Sequence, residues 1–433
     1  MKRRLNLFQA MMLRWRELYP YSAVHTLRVS TTLDVGRLEH AIAGTLEARG
    51  LTGLEIDIRR RCYVWQGGPA TQRVHVVAAA GHPGEALDHE MERQLNMPFA
   101  ADGSVDPFRF FAVGGASSFH LGLAYDHIVA GGDSIARLLK SIAERYDGAS
   151  RPVTQLPSPY APTYAKLFWR ERRAFLGGLG TLPKLAADCR CAVRPRYASA
   201  EDGYNGFIRF RIDPLGHAAL TRAAAAWQVS LQDLFLAMTL LGLSPLSPGR
   251  TNASRRREIA VASIVNIRGE LGSEAAHAFG PCLASFRVAH PVPAESSLRE
   301  IALAVRAQKE RIKQRKLYLQ TLLAMAVAGL EWRFLSREQR ARFFAKHYPV
   351  WAGVTPLNLN PIWSEEGENR GPPEYIRAVS TGPLAPMIVA LTSGGSTINA
   401  GISFRTTVYS REAVERLAAG MLDSIARLEQ WAA

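Results

Sequence analysis

Ala124-Tyr125-Asp126-His127-Ile128-Val129-Ala130-Gly131-Gly132-Asp133-Ser134 carries the reading of this 433-residue chain. The apolar run over residues 119–125 reads as a strand, and it ends beside a histidine. A loop of small residues follows. Beyond it, Ile135, Leu138, Leu139 and Ile142 recur at helical spacing, which predicts a helix with Ser134 at its N-cap. Most lone histidines fill ordinary core or surface positions. One set between a strand and a helix is held by rigid elements while its ring still reaches a cleft, and that suits a general base.

The same stretch resembles the motif H-H-x-x-x-D-G of the condensation-domain and CoA-dependent acyltransferase superfamily. Without gaps, the second, catalytic histidine falls on His127 and the motif glycine on Gly132. Asp126 stands where condensation domains have the first histidine, and Gly131 where the family has its structural aspartate. Ser134 matches a serine common just after the motif. Asp133 is the candidate substitute for the missing aspartate.

Three later segments extend the resemblance. Asn266-Ile267-Arg268, followed by Phe279-Gly280-Pro281-Cys282-Leu283-Ala284-Ser285-Phe286-Arg287-Val288, is similar to a family segment whose arginine maps onto Arg287. In relatives that arginine pairs with the motif aspartate and braces the catalytic loop. With Gly131 at the aspartate position, Asp133 and Asp126 are its candidate partners. Val354-Thr355-Pro356-Leu357-Asn358-Leu359 resembles a late family strand, which singles out Asn358. The closing hairpin and helix match the family's ending. The resemblance therefore covers nearly the whole chain, carried by the order of elements more than by any one motif.

It implies an α/β (mixed α+β) fold of two chloramphenicol-acetyltransferase-like lobes forming a V around a central tunnel. The first lobe, residues 1–160, would carry the His127 motif, and residues 161–433 the second. It implies a metal-independent acyltransferase of condensation type. The donor would be a phosphopantetheine thioester, on an acyl or peptidyl carrier protein or on coenzyme A, and the acceptor a small amine or alcohol. No bound cofactor is expected. A role in nonribosomal peptide or other secondary-metabolite biosynthesis, as a free-standing monomer, follows from the family alone. The departures at Asp126 and Gly131 keep a second reading open: a catalytically degraded relative that acts as a carrier-binding or scaffold partner.

The chemistry itself is ordinary. A neutral imidazole at His127 takes the nucleophile's proton as it attacks the thioester carbonyl. The backbone N–H groups of Gly131 and Gly132 are the expected oxyanion donors, since neither residue carries a side chain to block approach. On that reading, a side chain at position 132 would stand where the thioester must come.

Composition sets limits. With 47% hydrophobic residues the chain can build sizeable cores. Lys and Arg number 53 against 38 Asp and Glu, a net charge of +15. Such a balance attracts anions, among them coenzyme A phosphates, an acidic carrier or nucleic acid. No helix-turn-helix, zinc-finger or aromatic RNA-binding pattern accompanies it, so nucleic acid is not expected. Four cysteines (Cys62, Cys189, Cys191 and Cys282) lack a metal-ligand pattern, which argues against a zinc site and for a reducing cytoplasm. No apolar run is long enough to predict a transmembrane helix.

The remaining pattern predicts helices at 6–19, 35–49 (capped by Asp34), 85–95, 164–176, 214–227, 231–243 (capped by Ser230), 297–316, 317–334, 337–344 and 411–428. Strands are expected at 26–32, 206–212 and 258–266. Residues 60–66 and 73–78 read as paired strands around Gly67-Gly68, and 388–392 with 398–406 as a hairpin. Gly177-Gly178-Leu179-Gly180, three glycines in four positions, reads as a helix break. Residues 148–162 read as a Pro- and Ser-rich linker, and 247–257 as a basic loop with Arg250, Arg255, Arg256 and Arg257.

Overall fold

The computed structural model describes residues 2–78, 82–100, 102–115, 117–148, 158–247, 255–276, 278–364 and 372–431. The core of the expected linker and most of the basic loop, residues 149–157 and 248–254, lie outside them. The chain forms two compact units of mixed α/β structure. The first comprises residues 1–167 together with 266–283 and 357–380; the second comprises 168–265, 284–356 and 381–433. Two short later segments thus return to the first unit.

A five-stranded sheet organises the first unit, in the order Tyr375–Val379, Ser22–Val29, Phe119–Asp126, Phe108–Gly114, Val74–Val77. Its first three pairings are antiparallel and the last is parallel. Gly122 sits opposite Phe111, and a Cβ there would lie 2.1 Å from the Phe111 ring, so the glycine lets the ring lie flat across the central strand. The Gly132–Tyr146 helix buries Ile135, Leu138, Leu139 and Ile142 completely, the face its sequence spacing predicts. Each such side chain contributes roughly 1.5–3 kcal/mol. Strand and helix on either side of the His127 loop are therefore firmly anchored. Asp34 caps the Val35–Ala48 helix through its side chain, as expected.

Two expectations are corrected here. Ser134 is not the N-cap. The helix starts at Gly132 with Gly131 in the cap position, and Ser134 lies in its first turn. The strand at Val74–Val77 does not pair with the one at Cys62–Trp65. Both edges of Cys62–Trp65 are already taken, by Leu54–Asp57 and by Arg3–Arg4, in a separate four-stranded sheet. Gly67 and Gly68, with φ of 79° and 105°, turn the chain away, and Val74–Val77 joins Phe108–Gly114 instead.

The second unit is built on a six-stranded sheet in the order Leu283–His290, Ile259–Asn266, Ala352–Asn358, Met387–Gly394, Thr397–Arg405, Asn205–Ile212. The expected hairpin is present, with Gly395 at φ 58° in its turn. The Pro214–Ala226, Leu231–Leu243, Leu298–Gln314 and Arg411–Trp431 helices pack their apolar residues with the sheet in one core, including Leu234, Leu240, Ile301, Val389, Ile402 and Met421. Ser230 and Ser297 both form capping boxes.

The expected break at 177–180 is displaced. The Arg172–Leu179 helix runs through Gly177 and Gly178, and a further helix follows at Leu182–Cys191. A Cβ at Gly178 would overlap Gln320 of the Tyr318–Glu331 helix, so this glycine serves close helix approach rather than termination. Among the described residues no single helix is long and apolar enough to cross a membrane.

Candidate functional site

The loop after the Phe119–Asp126 strand is tied down at each step. The Asp126 and His127 amides donate to Pro107 O (3.0 Å) and Tyr21 O (3.3 Å), and the Val129 amide to Asp126 O (3.0 Å). Gln9, fully buried, donates its side-chain amide to Ile128 O at 3.0 Å. Asp126 itself is a strut. Its carboxylate is wholly buried, meets Arg16 at 2.7 Å and accepts from the Ile128 amide at 3.2 Å. Burial pushes its pKa up to about 6 against the pull of Arg16.

His127 is partly accessible, with Tyr21 stacked on its ring (centroids 5.5 Å, planes 21°) and Tyr125 edge-on at 5.9 Å. Its Nδ1 lies 3.4 Å from Ala130 O. A carbonyl oxygen only accepts, so Nδ1 carries the proton and Nε2 presents a free lone pair. Desolvation lowers its pKa to about 4, and the Arg377 cation acts in the same direction. The ring is therefore neutral at ordinary pH.

Gly131 and Gly132 have different neighbours. A Cβ at 131 would lie 2.9 Å from Asp133 Oδ1 and 3.8 Å from Arg268 Nη2. The Asp133 carboxylate occupies the ground beside the missing side chain and pairs with Arg268, Nε to Oδ2, at 3.2 Å. Arg268 also donates to Ala275 O (2.9 Å) and Ala278 O, and lies 3.4 Å from Ser134 Oγ. It fastens the 266–283 segment to the first turn of the His127 helix. A Cβ at 132 would lie 3.2 Å from Arg377 Nη1 and 3.5 Å from His25 Cε1. A bulkier residue there strikes these two side chains.

The expected pairing of Arg287 is also corrected. Asp133 is held by Arg268 and Asp126 by Arg16. Arg287 lies in the second unit, where its Nε is 3.5 Å from Pro349 O. Both candidate carboxylates had nearer arginines from the first unit. Asn358 is exposed at the end of its strand and accepts from the Asn360 amide (3.0 Å), capping the short Asn360–Ser364 helix.

Three residues of this neighbourhood, His25, Tyr375 and Arg377, carry no signal in the local sequence. His25 is fully buried, with Nδ1 2.7 Å from Tyr375 Oη and Nε2 3.3 Å from Tyr125 Oη. Burial first, then Arg377, holds it neutral, well below its usual pKa. Arg377 is also buried, and its pKa falls to about 10, so it stays charged at pH 7. The first unit thus sets one permanent cation beside two neutral imidazoles. Among the described residues no group of three or more His, Cys, Asp or Glu side chains is placed to hold a metal ion.

Asp126 and His127 oppose each other in acid. From pH 6.5 down to about 4 the unfolded chain takes up a proton that folded His127 refuses, so its contribution to stability falls with pH. Folded Asp126 keeps its proton up to about pH 6, whereas the unfolded carboxyl releases it near 3.8, so its contribution rises as pH falls through that window. Asp126→Asn removes only the second effect. From pH 6.5 to 4, its stability is expected to fall about 2–3 kcal/mol more than that of the wild type, read from denaturant midpoints. Parallel pH profiles for the two proteins would contradict the assignment.

Solved structures place this geometry in a wider setting. The chain is similar to the first condensation domain of the calcium-dependent antibiotic synthetase in complex with a substrate analogue, at 16% identity, 99% of this chain and 97% of that one, TM-score 0.68. It is similar to the EpoB cyclization-docking bidomain from Sorangium cellulosum (10% identity, 99% and 84% covered, TM-score 0.72) and to SgcC5 from Streptomyces globisporus (14%, 99% and 99%, TM-score 0.67). The chain has a condensation-domain-like fold. No protein-family model matches it, and no curated protein matches it in sequence. At these identities the likeness concerns the fold, and the roles of residues in this condensation-domain-like chain rest on its own geometry.

Proposed function

We propose that this chain is a condensation-type acyltransferase with His127 as its general base. One observation carries the reading: a neutral, accessible imidazole whose Nδ1–H faces Ala130 O, leaving Nε2 free, on a buttressed loop of a condensation-domain-like fold. The acyl group arrives as a phosphopantetheine thioester on a carrier protein or coenzyme A, and the acceptor is a small amine or alcohol.

The step balances simply. Nε2 takes the acceptor's proton as its N or O bonds to the thioester carbon. The resulting tetrahedral oxyanion collapses, the C–S bond breaks, and the imidazolium returns the proton to the departing thiolate. Burial and Arg377 both disfavour the imidazolium, which promotes that return. The first turn of the Gly132–Tyr146 helix has no side-chain cap, and its N–H groups supply positive potential at the end of the loop that follows His127. Arg377 adds a fixed cation, and Asp126 acts as a strut.

The test compares extracted small molecules by mass spectrometry from three strains: wild type, a deletion of the gene, and a chromosomal His127→Ala replacement. Loss of one acylated product in both altered strains is expected, and the missing mass names the acyl group. A product lost on deletion but retained in His127→Ala overturns the catalytic assignment and favours a scaffold or carrier-binding role.

A further inference from the structure

Two neighbouring helices of the second unit, Arg172–Leu179 and Tyr318–Glu331, concentrate the apolar surface that the chain leaves bare. Among the described residues ten large apolar side chains are exposed. Five of them, Trp169, Leu176, Val327, Leu330 and Phe334, lie in these helices or in the residues flanking them. The two helices meet where Gly178 packs on Gln320. Single exposed apolar residues are ordinary, whereas a cluster marks a surface that something covers.

The Tyr318–Glu331 helix carries most of this cluster. Its 14 residues hold no charge before Glu331. A helix that is apolar all round is ordinarily buried all round. Here one side is: Leu319, Leu322, Met325 and Ala328 are buried. The other side is bare. Val327 is 51% exposed, Leu330 59%, and Phe334, one turn further on, 85%. Their spacing of three and then four residues lines them up as one stripe. Phe334 does not hang loose. Trp332 before it is buried, with its ring 5.8 Å from that of Phe344, and Ser336 after it caps the Arg337–His347 helix.

Charge indicates what the stripe meets. Residues 311–346 contain nine Lys and Arg against two Asp and Glu. Lys313 and Arg315 are exposed just before the helix, and Arg333, Arg337, Arg342 and Lys346 after it. That balance favours an anionic occupant. The side chains of the stripe offer no hydrogen-bonding group. Protein interfaces are held by directional hydrogen bonds as well as by apolar area. A bilayer boundary takes aliphatic and aromatic side chains without direction and draws flanking cations to its headgroups. The helix rises about 21 Å, against about 30 Å for a hydrocarbon core, so it would lie on such a surface rather than across it.

We propose that the second unit docks on an anionic lipid surface through the outer stripe of the Tyr318–Glu331 helix. Leu330 and Phe334 enter the headgroup boundary, and the flanking cations meet lipid phosphates. The proposal is independent of the acyl-transfer reading, because none of these residues belongs to the His127 machinery.

Flotation of the full chain with phosphatidylcholine vesicles, with and without phosphatidylglycerol, tests it. Binding is expected to be at least tenfold stronger to the anionic vesicles and to weaken as salt is raised. Leu330→Gln combined with Phe334→Gln leaves the charge unchanged and is expected to weaken that binding at least tenfold. Arg333→Gln combined with Arg342→Gln is expected to weaken it as well. Leu215→Gln, at an exposed apolar position on the Pro214–Ala226 helix, is expected to leave it unchanged. Circular dichroism establishes that each variant folds, and Phe334→Gln alone carries the comparison if the double variant does not. Absence of binding to the anionic vesicles overturns the proposal, as does wild-type binding by the folded stripe variant. Binding to polyglutamate in place of vesicles, lost in that variant, would assign the stripe to an acidic protein. A sedimentation mass of two chains that falls to one in the variant, without vesicle binding, would assign it to a second copy.

Discussion

His127→Ala is expected to lower turnover by at least about a hundredfold while leaving the chain folded. The magnitude is that of a general base removed from its reaction, roughly 10²–10⁴-fold. The structural cost is small by comparison. The ring is partly accessible, makes one long contact at 3.4 Å to Ala130 O, and otherwise stacks on Tyr21 and Tyr125. The loop is held by Asp126, Gln9 and backbone amides, none of which the substitution touches. Single-turnover acyl transfer measured beside a thermal melt separates the two effects. Added imidazole is expected to restore part of the rate, because the deletion leaves a space of the right shape. A folded variant with wild-type turnover would refute the role of His127.

Local chemistry made the secondary structure legible where one turn of chain decides it. Asp34, Ser230 and Ser297 cap the helices that their side chains advertise, and Ile135, Leu138, Leu139 and Ile142 face inward as their spacing requires. Decisions that depend on distant occupants were not legible. Val74–Val77 has strand composition, but its partner was settled by strands already on both edges of Cys62–Trp65. Gly178 looked like a helix breaker because Gln320, far along the chain, was not yet opposite it.

The same division runs through the candidate site. His127, Asp126 and the two glycines were visible as one short stretch. His25 and Tyr375 meet across 350 positions, and Arg377 lies in a strand whose five residues are all buried, so alternation gives it no mark. Arg268 and Arg287 stand in one matched segment, and only the three-dimensional path of that segment decides which reaches a carboxylate. Arg268 follows the end of its strand and returns to the first unit, whereas Arg287 stays within the second.

Moving the carboxylate from position 133 to position 131 tests whether Asp133 has taken over the place of the motif aspartate. Asp133→Ala is expected to cost roughly 1–3 kcal/mol. It strips the buried Arg268 of the carboxylate that pairs with it at 3.2 Å but leaves that arginine its carbonyl contacts. Gly131→Asp alone is expected to destabilise as well, since its Cβ would stand 2.9 Å from Asp133 Oδ1 and bring two carboxylates together. Combined, the substitutions leave one carboxylate, launched from a Cβ 3.8 Å from Arg268 Nη2, so the double variant should be more stable than either single one. An aspartate at 131 would also cap the helix, a gain of about 1 kcal/mol that owes nothing to Arg268. Gly131→Ser in the Asp133→Ala background measures that cap alone. Chemical denaturation of the set isolates the ion pair as the excess of aspartate over serine at position 131, and Arg268→Met should abolish that excess. Equal stability of the serine and aspartate variants would mean that Asp133 and Arg268 are neighbours without being the brace of the His127 loop.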